Sequence, residues 1–365
     1  MSRSTETRDP SFALMLICEG TRTEPNFFYC LCKAMKEQGV LGCTFKVLPK
    51  SSFETEDEEV NADRGDRKRT TREVLPGKPM KESPNPQFPG EQPLNWVKAG
   101  LDFLSTYNEV WCIFDKDGHP KQKEAFELVK ESQTENKNIN IAFSSRSIEY
   151  YFLLHFEYIY KAFEKSECNE KQYKGKKPKT VYFKCMTENA IKGKACDGSK
   201  CINGYARKKG YWVESKTNTS LYPILKDRLF KGIVNSIRLR KESHQINPES
   251  VIYERNPYIT TDSLVARILG YTIQENKTFD IKTNGTSIRV NLDGNTVSFY
   301  NEGTISYILQ SGCIRLLDPF NNTHTSYNDR PILIEPTKSY SISLADKQED
   351  HLLMLYISDE NYIIG

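Results

Sequence analysis

The first 165 residues alternate short apolar runs with amphipathic stretches, and the periods of the two kinds of segment differ. Residues 12–18 (FALMLIC) are continuously apolar, which suits a strand buried on both faces. Residues 24–38 carry Phe27, Phe28, Leu31 and Met35 at helical spacing, and Gly39 follows as a stop signal. A second strand is predicted at 44–48 (TFKVL), and a helix at 93–104 with Leu94, Val97, Leu101 and Leu104 on one side. Residues 110–114 (VWCIF) form another apolar run. A helix over 120–132 follows, with Pro120 near its first turn. Residues 139–143 (INIAF) give the next strand, and 147–163 read as a long aromatic-rich helix. The order β-α-β-α-β-α-β-α predicts an α/β fold, a parallel sheet with helices on both faces.

The texture changes twice after that. Between the second strand and its helix, residues 51–92 open acidic, turn basic and end rich in proline and glycine; they are expected to be a long surface loop. From 188 to 210 the chain is rich in Lys and Gly, 221–241 read as a basic helix, and 256–269 (NPYITTDSLVARIL) as a capped helix closing the first part. Residues 283–365 alternate apolar and polar positions in short runs broken by NG, DG, EG and SG, the pattern of an antiparallel sandwich or barrel. The expected organisation is a catalytic core over 1–165, a basic helical, cysteine-containing extension over 166–270, and an all-β accessory domain over 271–365.

Composition adds two constraints. No apolar run approaches the roughly 20 residues needed to span a bilayer, and the mean hydropathy is −0.62. The polar start MSRSTETRDP precedes too short an apolar run for a secretory leader, so a cytoplasmic location and no membrane partner are expected. Cys18, Cys43 and Cys112 lie in apolar segments, where cysteine acts as a small buried hydrophobe. The net charge of +3 hides an asymmetry. Residues 161–245 hold 21 Lys and Arg against 8 Asp and Glu, an excess of thirteen, so the rest of the chain sums to −10. Such a block matches a polyanion-binding face or, equally, a solvated helical surface.

Acidic residues fall just after three of the predicted strands. Glu19 follows FALMLIC, Asp115 and Asp117 follow VWCIF in DKDGHP, and Glu149 lies shortly after INIAF. In a parallel sheet the strand C-termini share one edge, where open α/β sheets place their ligands. Carboxylates gathered there repel one another, and a hard divalent cation, Mg²⁺ or Mn²⁺, relieves this. Each acid alone has a plainer reading: a turn for Glu19-Gly20 and for DKDG, and a favourable helix-dipole position for Glu149. Their joint placement favours the metal.

Other groups have two readings each. His119 is a proton donor, a phosphate contact or a solvated loop histidine. His155 fits a buried, hydrogen-bonded histidine shaping the site better than it fits a ligand. Glu24 is read as capping the next helix, with an outer metal ligand as the alternative, and Arg22 as a possible phosphate contact. Cys168, Cys185, Cys196 and Cys201 invite a structural zinc, against which stand the irregular spacing and the lack of any C-x-x-C. The aromatics Tyr173, Tyr182, Phe183, Tyr205, Tyr211 and Trp212 within the basic block suit base stacking or ordinary packing.

CEGTRTEPNFF resembles the opening motif of the RloB family, FDKDGHP its aspartate pair, and SSRSIEYYFLLHF its third motif, in which a serine precedes the glutamate by two. The resemblance covers roughly residues 12–156, with a fainter echo in NPYITTDSLVARIL. Ile148 stands where Phe is more usual, and Tyr150-Tyr151 replace a segment that often includes Trp; neither touches a ligand. The resemblance implies a Toprim-like core related to OLD-type nucleases, with Glu19, Asp115, Asp117, Ser147 and Glu149 as its motif residues. It also implies a bacterial phage-defence role beside an ABC/AAA-type ATPase. The β-rich last third lies beyond it.

The expected function is a Toprim-type metal-dependent nuclease of bacterial anti-phage defence. Glu19, Asp115 and Asp117 would bind Mg²⁺ or Mn²⁺, and Glu149 would complete the site or act as general base. RNA, including tRNA, and DNA are both open as substrates, and an oligomeric assembly is compatible with the sequence. A non-catalytic nucleic-acid- or ATPase-binding subunit is the second reading. A D-x-D glycosyltransferase using Mn²⁺ is third, and would leave Glu19 and Ser147/Glu149 as coincidences. A topoisomerase is disfavoured for want of companion domains.

Overall fold

Three strands near the N-terminus, β1 (Ala13–Cys18), β2 (Thr44–Leu48) and β3 (Glu109–Asp115), pair in parallel, with β1 between the other two. These features come from a computed structural model, which describes residues 12–54, 92–116, 119–135, 137–164, 168–170, 183–185, 201–212, 220–283, 286–321, 323–348, 350–357 and 360–364. Strands β4 (Ile139–Ser145) and β7 (Tyr258–Ile259) extend the sheet to the order β2-β1-β3-β4-β7, mixed but mostly parallel. Helices α1 (Thr23–Glu37), α2 (Pro93–Phe103) and α3 (Gln122–Thr134) connect the strands at the predicted places. The predicted loop over 51–92 lies mostly outside the described residues.

The chain divides into two compact units, residues 1–142 with 215–223, and residues 143–214 with 224–365. In the first unit, Leu14 to Cys18 of β1 are all buried, as the unbroken apolar run requires. Helix α1 packs beside β2 and buries Phe27, Phe28, Leu31 and Met35, each contributing about 1.5–3 kcal/mol by leaving water. Helix α2 comes close to the sheet at Gly100. A Cβ there would meet Ile139 Cδ1 at 2.9 Å and Cys112 Sγ and Val110 Cγ1 at 3.2 Å, so glycine sets the helix–sheet distance.

In the second unit the predicted long helix over 147–163 is much shorter: α4 spans Ile148–Leu154, and the chain after Phe156 is irregular. Tertiary partners take over the backbone groups that a longer helix would have used. Asn235 Nδ2 donates to Leu154 O at 2.7 Å, and Lys231 Nζ to Phe156 O at 2.6 Å. The Tyr150 hydroxyl donates to Ile159 O at 2.7 Å and accepts from Lys161 N–H at 3.2 Å. Strands β5 (Cys168–Glu170) and β6 (Phe183–Cys185) pair antiparallel, and α5 (Ile202–Lys209) follows. The predicted basic helix is three pieces: α6 (Tyr222–Leu225), a 3₁₀ turn (Lys226–Arg228) and α7 (Leu229–Ile246), which runs past the expected end.

The predicted helix over 256–269 begins as a strand. Tyr258 and Ile259 pair antiparallel with Ser145 and Ser144 before α8 (Thr261–Ile268) starts. Side chains enforce this: Thr260 Oγ1 accepts from Phe143 N–H at 2.9 Å, Ser144 Oγ meets Thr261 Oγ1 at 2.7 Å, and Ser145 Oγ donates to Asn256 Oδ1 at 3.1 Å.

The C-terminal strands are β8 (Thr272–Gln274), β9 (Thr278–Thr283), β10 (Thr286–Asp293), β11 (Thr296–Asn301), β12 (Tyr307–Leu309), β13 (Ile314–Asp318), β14 (Thr323–Ser326), β15 (Ile332–Ile334), β16 (Ser339–Ser343), β17 (Leu352–Ile357) and β18 (Glu360–Ile364). They form sheets β16-β11-β10-β9, β12-β15 and β14-β13-β17-β18-β8, antiparallel except for the parallel β18–β8 pair. Ile288, Val290, Val297 and Phe299 of one sheet share a buried cluster with Ile314, Leu353, Leu355 and Ile364 of another, as the alternating pattern anticipated. The Asp293–Thr296 hairpin turns through Gly294 at φ 54°, which a side chain would oppose. No helix among the described residues is long and apolar enough to cross a membrane.

Candidate functional site

In the first unit, the parallel ladder carries β1 one residue beyond its last strand position: Glu19 N–H donates to Ile113 O at 2.8 Å. This fixes the Glu19 backbone beside the end of β3. Its carboxylate then bridges two partners. Oε2 accepts from the backbone N–H of Asp115 at 2.8 Å, and Oε1 lies 2.7 Å from His119 Nε2. The contact is partly open to solvent, with side-chain exposures of 24% for His119 and 17% for Glu19. Two residues not singled out from the sequence support it. Trp96 of α2 meets the His119 ring edge-on at 6.2 Å, and Gln122 Nε2 of α3 donates to Asp115 O at 3.2 Å. Trp96 lies far from the motifs and Gln122 two residues past FDKDGHP, and the helical periodicity that turns their faces to the sheet is the signal that could have found them.

Glu24 is buried in the first turn of α1, where its charge suits the helix dipole. Its carboxylate folds back over Gly20: a Cβ on Gly20 would lie 2.0 Å from Glu24 Oε2. The glycine after Glu19 therefore makes room for a second carboxylate in the same loop. Cys18 reports that charge too, since burial first, and then Glu24, push its thiol well above the ordinary range. Arg22, the residue preceding α1, is exposed. Asp117 lies outside the described residues.

In the second unit, Ser147 precedes α4 in an extended conformation without a side-chain cap, and Glu149 is buried in the first turn. His155 ends the helix, fully buried. Its Nδ1 lies 2.9 Å from Tyr151 O, and because a carbonyl only accepts, Nδ1 carries the proton. Nε2 has no hydrogen-bond partner among the described residues. Burial first, and then the charges of Arg228 and Lys231, lower its pKa to about 4 against the opposing hydrogen bonds of Tyr151 and Phe152. Beneath this helix Arg240 of α7 is buried and holds Asp262 through both nitrogens, at 2.5 and 2.9 Å, and Ile259 O at 2.7 Å. Sequence reading missed Arg240 and Asp262, which it had placed only as members of the basic helix over 221–241 and of the capped helix over 256–269.

Among the described residues no three His, Cys, Asp or Glu side chains converge as a ready metal cluster. The donor type nonetheless fits a hard cation: Glu19 and Asp115 supply carboxylate oxygens at adjoining strand ends, with Glu24 in the same loop. Of the zinc candidates, Cys168 and Cys185 are register partners in the antiparallel β5–β6 pair, and Cys196 lies outside the described residues. Cys201 is buried at the start of α5 and its Sγ accepts from Gly204 N–H at 3.4 Å.

Part of the basic block forms a cation–aromatic surface in the second unit. Phe156 stacks on Tyr211 at 4.4 Å with Arg228 4.7 Å from the Phe156 centroid. Lys161 and Lys209 lie 5.8 and 5.4 Å from the Tyr205 ring, and Arg238 lies 4.0 Å from that of Tyr158.

A family model described as RloB-like protein matches residues 14–268, from β1 to the end of α8. Nothing among curated proteins or solved structures matches the chain. The match spans well over half of the sequence and takes in the strand-end carboxylates of β1 and β3 and the buried glutamate of α4. The chain belongs to the RloB-like protein family.

Proposed function

We propose that the protein is a Toprim-type metal-dependent nuclease acting as an effector of bacterial anti-phage defence. The observation that carries the reading is the Glu19 carboxylate, held at the end of β1 by the Asp115 N–H and by His119. Glu19, Asp115 and Asp117 would hold Mg²⁺ or Mn²⁺, and Glu149 would complete the set or accept a proton from water. A bound divalent cation supplies charge neutralisation and polarisation at a phosphodiester. The chain's own part is orientation. The Asp115 N–H fixes the rotamer of Glu19, and His119 holds or releases a proton at Glu19 Oε1. The cation–aromatic surface around Phe156, Tyr205 and Tyr211 would take the nucleic-acid backbone and bases, RNA or DNA. An ABC/AAA-type ATPase is the proposed partner, on the strength of the family alone.

A binding subunit without catalysis is the second reading. It is favoured by the cation–aromatic surface around Phe156, Tyr205 and Tyr211, which would hold nucleic acid without any metal.

The test is incubation of the full chain, with and without such an ATPase, with labelled tRNA, single-stranded DNA and duplex DNA in Mg²⁺ or Mn²⁺. Cleavage is expected, abolished by EDTA and reduced at least about a hundredfold by Asp115→Ala or Glu19→Gln. Binding that weakens with salt but yields no product under any condition would replace the nuclease with the binding subunit.

A further inference from the structure

The second unit contains a cleft of about 860 Å³ between one face of α7 and the C-terminal β-strands. Its size falls within the range of small-molecule sites, roughly 300–1,000 Å³. Cations reach it from three separate segments: Arg238 and Lys241 from α7, Lys277 from the turn after β8, and Lys347 from the turn after β16. Three acids line the same cleft: Glu275, which pairs with Arg240 at 2.6 Å, Glu242, which accepts from the Tyr158 hydroxyl, and Asp350, so the four cations outnumber them by one. Among the described residues neither Lys241 nor Lys277 makes an ion pair.

The lysine-bearing turns are fixed to one hairpin. Leu292 N–H at the end of β10 donates to Lys277 O at 2.7 Å, and Asn295 Nδ2 of the same hairpin donates to Lys347 O at 3.4 Å. The ammonium groups are thus brought together by a built framework. Their mutual field is visible at Lys241, whose pKa is lowered by lost hydration first, then by Lys347 against the attraction of Glu275, then by Lys277 and Arg240. The floor is apolar: Val234 and Ile237 from α7, Leu292 and Leu352 from the strands. His351 also lines the cleft, and its buried Nδ1 has no hydrogen-bond partner among the described residues.

Converging cations need an anion, and an apolar floor suits a flat ring. We propose that this cleft binds a free nucleotide, its phosphates against Lys241, Lys277 and Lys347 and its base against the Val234–Ile237–Leu292–Leu352 floor. The site lies wholly within the second unit and does not depend on the nuclease reading.

Isothermal titration of the full chain with ATP, inorganic pyrophosphate and a twelve-nucleotide single strand tests the proposal. ATP is expected to bind once per chain and more tightly than pyrophosphate. Lys241→Ala, Lys277→Ala and Lys347→Ala should each weaken it about tenfold, the loss of one charge-assisted contact. Arg289→Ala, an exposed position of β10 paired with Asp280 and Glu302, serves as the control and should leave affinity unchanged. ATP affinity indifferent to the three lysines, or no ATP binding at millimolar concentration, would overturn the site. Pyrophosphate binding as tightly as ATP would overturn the nucleotide assignment. Lysine-dependent binding of the single strand without ATP binding would make the cleft a nucleic-acid groove instead.

Discussion

Mild acid should destabilise the second unit through one residue, His155. Its ring is fully buried, held by Tyr151 O and packed so closely on α7 that a Cβ at Gly232 would lie 2.6 Å from its Cε1. No acid is among the groups that shift it: burial dominates, Arg228 and Lys231 add to it, and the backbone bonds of Tyr151 and Phe152 oppose it. The folded-state pKa is therefore about 4, against 6.5 for a free histidine. Between those values the unfolded chain binds a proton that the folded chain refuses, so stability falls as pH falls. The loss attributable to this group is about 2 kcal/mol at pH 5 and about 3 kcal/mol at pH 4, with almost none at pH 7. Urea unfolding of the wild type and of His155→Gln at pH 7 and pH 5 isolates it, because carboxylates and other histidines titrate alike in both. The variant loses packing and starts less stable, but its disadvantage should shrink by about 2 kcal/mol on going to pH 5. A wild-type-to-variant difference that is the same at both pH values would refute the reasoning.

Two further substitutions test the packing of the same unit. Asp262→Ala strands the buried Arg240 with Glu275 and Ile259 O as remaining partners and should cost about 3–5 kcal/mol in denaturant unfolding; the double change Arg240→Met, Asp262→Leu should recover a large part. Asn301 is fully buried, accepts from Thr286 Oγ1 and Gly303 N–H, and donates to Ile305 O and Ile334 O, so Asn301→Ala should cost about 2–4 kcal/mol, read as a lowered thermal midpoint.

What the sequence made legible follows the strength of the periodic signal. FALMLIC, TFKVL and VWCIF became β1, β2 and β3 within a residue or so, because an unbroken apolar run has no comfortable place except a doubly covered strand. Glu19 was found for the same reason: it is the first charge after such a run. The helix over 147–163 was overestimated because its end is written in residues 75 and 81 positions away, Lys231 and Asn235, rather than in a local stop signal. The two-residue strand β7 is too short for any period and is held by hydroxyls of Ser144, Thr260 and Thr261. At the site, strand-end logic gave Glu19 and Asp115 as neighbours. It did not show that Asp115 holds Glu19 through its backbone N–H, or that Gly20 is small so that the Glu24 carboxylate can lie over it.

The segment 256–262 explains how the third motif is positioned without a long helix behind it. Asn256 and Thr260 bind the last residues of β4, Thr261 meets Ser144, and Arg240 clamps Asp262 and Ile259 from α7. The two residues before Arg146 are therefore fixed from the far side by groups more than 110 positions on, and Ser147 and Glu149 follow directly from that anchored end. Arg240 touches neither Ser147 nor Glu149, yet removing Asp262 frees it from the joint that carries the strand end. A loss of activity in Asp262→Ala that exceeds its loss of folded protein would then mark Asp262 as a positioning residue for Glu149; activity that falls only in step with folded protein would confine Asp262 to stability.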